Sequence, residues 1–214
     1  RAGGGPLLAN RIRLADAFHA RSWGFEILVV DAGSRDGTGV LIDELSRRAK
    51  RAIGQIRFLD NRKQPGLGAA AAAGLRVARG KYCLVAHAAF RKGGLNATLA
   101  LEQLDAMVDA LDQGCHVAVS EHGIVLRKQV AEAVANRVRV TGPGFYVELL
   151  HLAKRIGFRI RHFSEAGPSA GTLRDFMASL RVKLNDLAGA YEFESAPRPR
   201  VHAESARMAV VRSH

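Results

Sequence analysis

Cysteine is nearly absent from this sequence. Cys83 and Cys115 are the only two among 214 residues, too few for a disulfide framework, and neither has a second cysteine or a histidine at metal-site spacing. Each lies in an apolar stretch that reads as a strand, so both are expected to be small buried hydrophobes in a reducing compartment. Aromatic residues are scarce as well, at 6%, and leave no stacking platform for single-stranded nucleic acid. No apolar run approaches the roughly 20 residues that span a bilayer, and the run Ala69–Ala73 falls far short. A signal-peptide pattern is lacking, and the first residue is Arg1 rather than methionine. That opening fits removal of a presequence or a start within a longer product, and points to the mitochondrion rather than the endoplasmic reticulum as the intracellular address.

Acidic residues are outnumbered. Against 20 Asp and Glu stand 32 Lys and Arg, for a net charge of +12 and a pI near 10.6. Such a balance attracts nucleic acid, anionic lipid or an acidic protein surface. The basic residues are scattered, apart from short groups such as Arg47-Arg48-Ala49-Lys50-Arg51. This diffuse charge reads first as a solvated face and is compatible with RNA contact. The rest is ordinary: 48% hydrophobic and 24% charged residues in a length that suits one α/β domain with a real core.

Along the chain, apolar spacing predicts a helix over residues 7–21, a buried strand at Phe25–Val30, a tight loop at 31–38 and a helix over 39–51. Strands follow at Ile56–Leu59, Tyr82–Ala86 and Cys115–Val119, with helices over 65–78 and 99–111 between them. Further helices are expected at 129–136, 145–156 and 172–187, with a half-exposed strand at Phe158–Phe163. Alternating strands and helices imply a mostly parallel sheet covered on both faces. Residues 1–194 read as one domain. Residues 195–214, rich in Pro, Arg, Ser and His without periodicity, read as an extended basic tail that needs a surface to lie on.

The motifs follow a familiar order. Val29-Val-Asp-Ala-Gly-Ser-Arg-Asp-Gly-Thr38 comes first, then Asn61 with Gly66-Leu-Gly68 and Gly74, then Ala78-Arg-Gly80 and Tyr82-Cys-Leu-Val-Ala86. Gly144-Phe-Tyr-Val-Glu-Leu-Leu150, Ala153-Lys-Arg-Ile-Gly157 and Phe158-Arg-Ile160 follow later. Over residues 7–190 this resembles family 2 glycosyltransferases of the dolichyl-phosphate glucosyl- and mannosyltransferase type. The resemblance implies a Rossmann-like, three-layer A-type nucleotide-diphospho-sugar transferase fold. It also implies a nucleotide-sugar site at Asp31, Ser34, Asp36, Gly66 and Gly68. Asp31 stands where the family contacts the base, and Asp36 also serves to cap the following turn.

Several positions depart from the family pattern. The carboxylate pair that would hold a divalent cation is replaced by His87 and Ala89; an imidazole and a methyl do not supply the oxygens a hard cation takes. Cationic positions of the glycine loop and its helix are Leu67 and Ala72, the second Asp of D-D-G-S is Ala32, and the Asp of F-D-x-E-L-L is Tyr146, with Glu148 retained. The family's opening strand is missing ahead of the first helix, and the acceptor-side insertion between Ser120 and Gly123 is about two residues. With metal, phosphate and base positions changed together, the residues read as a vestigial site. Catalytic residues and cofactors are then not expected, although the family would use a divalent cation and a nucleotide-sugar. The reading is a non-catalytic structural or accessory subunit with protein partners in a larger assembly. The alternative is an active, metal-free glycosyltransferase recruiting His87 or Glu148 to move a sugar onto a dolichyl or polyprenyl phosphate. A third reading is an RNA-associated basic protein.

Overall fold

The computed structural model describes residues 18, 21, 23–31, 55–86, 97–120, 123–142, 144–163, 173–191 and 207–213. In chain order these form β1 (Gly24–Asp31), β2 (Gln55–Asp60), α1 (Leu67–Val77), β3 (Tyr82–Ala86), α2 (Ala97–Asp112), β4 (Val117–Ser120), β5 (Gly123–Arg127), α3 (Lys128–Ala135), α4 (Phe145–Ile156), β6 (Ile160–His162), α5 (Leu173–Leu187) and β7 (Arg207–Ser213). The strands join one sheet in the order β2-β1-β7-β3-β5-β4-β6. The first four in that order run parallel, β5 is antiparallel to β3 and β4, and β6 is parallel to β4.

Unbroken apolar runs explain why the central strands lie inside. In β1, Ile27 to Val30 are all buried without alternation, the mark of a strand covered on both faces. Helices α1, α3 and α4 cover one face, where Leu28, Val30, Leu75, Val85, Leu126 and Leu149 share one core. On the other face α2 brings Leu104, Met107, Val108 and Leu111 onto Leu84 and Val125, together with Phe18. The alanine run of α1 keeps the helix thin, so that it packs on both β1 and β7. Helix α4 stops at Gly157, whose φ of 93° is a left-handed turn that a side chain would strain, and the Gly157 N–H closes on Lys154 O at 3.0 Å.

Buried polar groups fix the edges of this core. At the amino end of the sheet the buried Glu26 carboxylate accepts from Arg79 N at 2.5 Å and from the Arg57 guanidinium at 3.0 Å, which ties β1, β2 and the α1–β3 turn together. The Arg127 guanidinium donates to Cys115 O at 2.8 Å and to Leu111 O, satisfying carbonyls left over where α2 ends. Arg21 grips Asp105 of α2 through two hydrogen bonds of 2.7 Å.

The aperiodic tail expected over 195–214 is corrected at Arg207–Ser213, which forms β7 in the middle of the sheet. Seven residues pair with β1, from Gly24↔Arg207 to Val30↔Ser213, and four with β3, from Tyr82↔Met208 to Val85↔Val211. Strand β7 therefore occupies the place between β1 and β3. Only four apolar residues, Met208 to Val211, carry this strand in the sequence, with arginines on either side. Such a run is too short to show a period. Of the other expectations, the helix over 39–51 lies outside the described residues, as does that over 7–21 apart from Phe18 and Arg21.

Candidate functional site

Strands β2, β1, β7 and β3 end on the same edge of the sheet. From β1 the chain moves outward to β2, whereas from β3 it moves the other way, toward β4. The reversal lies over β7. In open α/β sheets, ligands bind outside the strands' carboxyl ends at such a reversal. Asp31 closes β1 at this edge and is only 4% exposed. It stands in register with Asp60, the last residue of β2.

Beyond Asp60 the chain turns sharply, with Asn61 Nδ2 donating to Gln64 O at 2.7 Å and Gln64 N to Asn61 O at 2.9 Å. Arg62 folds back on Asp60, giving Nη2 at 2.6 Å and Nε at 3.0 Å from its oxygens, while its own N–H donates at 3.0 Å. These bonds hold the Asp60 carboxyl down at about 2. They also raise the Arg62 guanidinium above its ordinary value, and the charge of Asp31 adds to that effect. An exposed organic cation thus stands within electrostatic reach of the buried Asp31.

The glycine loop has a different neighbour. Gly68 N donates to Thr141 O at 2.8 Å, and Gly66 adopts φ 117°. A Cβ on Gly68 would lie 2.1 Å from Val140 O, and one on Gly66 2.5 Å from Thr141 O. Both glycines are therefore needed for the start of α1 to touch the 140–141 backbone. Leu67 packs against the core and Ala72 is 2% exposed. The places where the resemblance expects cations thus face protein interior.

The backbone that meets these glycines is itself pinned by Glu148. Its carboxylate is fully buried and accepts from Arg139 N at 2.9 Å, Val140 N at 2.8 Å and Tyr191 Oη at 2.5 Å. With three donors on two oxygens, Glu148 is engaged as a structural acceptor. Tyr146 is buried against Phe145 with ring centroids 5.4 Å apart, and burial pushes its hydroxyl far up, so it stays neutral.

Structure thus brings Asp31 and, by register, Ser213 to one edge, with Asp60 and Arg62 beside them. Gly66, Gly68 and Glu148 join a backbone clasp through Val140 and Thr141. Ser34, Asp36, Ala32, His87 and Ala89 lie outside the described residues; His87 directly follows Ala86, the end of β3. The carboxylate pair that would hold a divalent cation is not present at the positions where the resemblance places it. Residues 87 and 89 offer an imidazole and a methyl, and among the described residues no three His, Cys, Asp or Glu side chains gather into a metal set. Cys83 is equally inert, since burial pushes its thiol up to about 12. Also among the described residues, no helix is long and apolar enough to cross a membrane.

Sequence reasoning missed Thr141, Arg62 and β7. The four-residue apolar run of β7 was the available signal for the last, and the Asp-Asn-Arg-Lys turn for the second; nothing in the sequence marked Thr141.

Residues 13–88, which hold β1, β2, α1 and β3, match the model of glycosyl transferase family 2. A dolichyl-phosphate beta-glucosyltransferase of Dictyostelium discoideum is 38% identical over 64 residues, which is 30% of this chain and 19% of that protein. The chain thus covers well under two thirds of this curated relative. No solved structure matches.

Proposed function

The chain belongs to glycosyl transferase family 2 and has its A-type fold, and on that premise we propose that it binds a nucleotide-sugar at the carboxyl edge of its sheet and passes the sugar to a dolichyl or other polyprenyl phosphate. The observation that carries this reading is Asp31, a buried carboxylate at the reversal of strand order and within the matched residues. A buried carboxylate at a strand end is suited to accept hydrogen bonds from a nucleoside. In the transfer, an oxygen of the acceptor phosphate bonds to the anomeric carbon as the bond from that carbon to the nucleoside diphosphate breaks. Negative charge grows on the departing diphosphate. Because residues 87 and 89 do not supply the carboxylates a divalent cation takes, that charge falls to organic cations, for which Arg62 and Lys63, exposed on the turn after β2, are the candidates among the described residues of that turn.

The test is direct. The full chain is mixed with labelled UDP-glucose and dolichyl phosphate, with and without chelator, and glucolipid is extracted. Chelator-resistant transfer supports the proposal; absence of both binding and transfer defeats it.

A second reading is favoured by Leu67 and Ala72 facing the core and by Glu148 being used up on backbone donors. On that reading the chain is a non-catalytic relative, kept as a basic subunit among protein partners, with a mitochondrial address. Fixed-stoichiometry recovery with partner proteins, without sugar transfer, would favour it. If the +12 charge serves RNA instead, binding should fall steeply with added salt.

A further inference from the structure

We propose that helix α5 is a docking site for an amphipathic helix of a partner protein, one that carries leucine-type side chains along its contact row and acidic side chains beside them. The inference stands apart from the donor-binding reading, because α5 packs on α4 and uses no residue of the sheet edge.

Among the described residues the exposed large apolar side chains are Leu180, Leu184 and Leu187, at 39%, 56% and 86% exposure, and all three belong to α5. Single leucines scattered over a surface are ordinary, whereas three in one row make an uncovered face. Their spacing of four and then three residues keeps them on one line along the helix, as in the contact row of paired helices. In the sequence, Leu173 and Met177 extend that spacing to the start of α5. At roughly 100° per residue, Val182 falls on the opposite side, and it is buried. Asp186 faces α4, with Oδ2 3.1 Å from His151 Nε2 and an ion pair to Arg155. The domain thus holds α5 by its back and leaves the leucine row outward.

Charge selects the occupant. Arg181 and Lys183, both exposed, flank the row on its two sides. In paired helices, side chains at such flanking positions choose the partner by opposite charge. A second copy would set arginine and lysine against arginine and lysine, and the net charge of +12 opposes it further. A lipid surface takes a helix with a broad apolar face. Over residues 180–187 the cations stand directly beside a row one side chain wide, the narrower pattern of a helix seam. An acidic amphipathic helix satisfies both the row and its flanks.

The experiment uses the full chain and two labelled four-heptad peptides with leucine at both contact positions, one with glutamate and one with lysine at the flanking positions. Binding is read by fluorescence anisotropy. The glutamate peptide should bind at least tenfold more tightly than the lysine peptide. Leu184→Ser combined with Leu187→Ser should weaken it at least tenfold with unchanged thermal unfolding, and Arg181→Glu combined with Lys183→Glu should reverse the preference. Should the double serine variant melt below the parent, Leu187→Ser alone, at the most exposed of the three positions, is used, with at least a threefold loss expected. No binding of the glutamate peptide, or equal binding by the serine variant, overturns the proposal. Sedimentation of the chain with vesicles of phosphatidylcholine and phosphatidylserine, lost in the serine variant, also overturns it, because the row would then meet lipid.

Discussion

Replacing Glu148 tests whether this fully buried carboxylate is a structural acceptor or a catalytic group. Two backbone N–H groups and the Tyr191 hydroxyl converge on it, Arg139 N and Tyr191 Oη on one oxygen and Val140 N on the other. Glu148→Ala strands all three donors. Each unsatisfied buried group costs about 1–3 kcal/mol, and some relief from entering water leaves a total of about 4 kcal/mol. Glu148→Gln is the sharper probe. Its carbonyl can replace the oxygen that serves Arg139 and Tyr191, but its amide then points N–H at the Val140 N–H. One lost acceptor and one donor–donor contact should cost about 2 kcal/mol. For a chain of this size, 1 kcal/mol lowers the melting temperature by roughly 2–4 °C. Calorimetric scans should therefore show drops of about 8–16 °C for the alanine variant and roughly half that for the glutamine variant. An alanine variant as stable as the parent would refute the reasoning. So would a glutamine variant that melts like the parent yet loses all sugar transfer, because Glu148 would then be acting on substrate.

Other expectations follow from the same geometry. Gly68→Ala puts a Cβ 2.1 Å from Val140 O and 2.9 Å from Phe145 Cβ; separation of α1 from the 140–145 segment should cost at least about 3 kcal/mol in urea unfolding. With native protein at pH 8, a thiol reagent should label Cys115 and spare Cys83, whose thiol is buried and pushed up to about 12; labelling of both before unfolding would contradict the packing. The Asp60 carboxyl, lowered from 3.8 to about 2 by Arg62, should titrate by NMR near that value and move back up in Arg62→Ala. Since the folded value lies below the unfolded one, whatever stability the pair adds is present above pH 3.8 and is lost as pH falls through about 2.

Local pattern was enough for the parts of the fold that announce themselves locally. Phe25–Val30 and Tyr82–Ala86 are unbroken apolar runs of strand length, and α4 has a helical stripe closed by Gly157; structure places each within a residue or so. Gly66 and Gly68 stood out for the same reason, because only a close backbone approach needs two glycines so near each other. What they approach was illegible, since the Thr141 carbonyl is an ordinary backbone group far along the chain. Glu148 read as a polar helix residue because nothing nearby in sequence reveals that Arg139, Val140 and Tyr191 will aim donors at it. Strand β7 was hidden by a related limit: its identity comes from β1 and β3 on either side, not from its own four apolar residues.

That position of β7 dictates an order of events during synthesis. Until residues 207–213 have left the ribosome, β1 with β2 on one side and β3 with its companions on the other have no shared partner. The emerging chain must therefore carry two open, apolar strand borders until β7 has emerged, a state prone to sticking to other nascent chains. Closure then requires β1, which starts at residue 24, to pair with a strand that starts at residue 207, which makes it slow by loop entropy alone. A chaperone that shields strand borders would consequently govern the yield of this protein more than any residue at the carboxyl edge of its sheet.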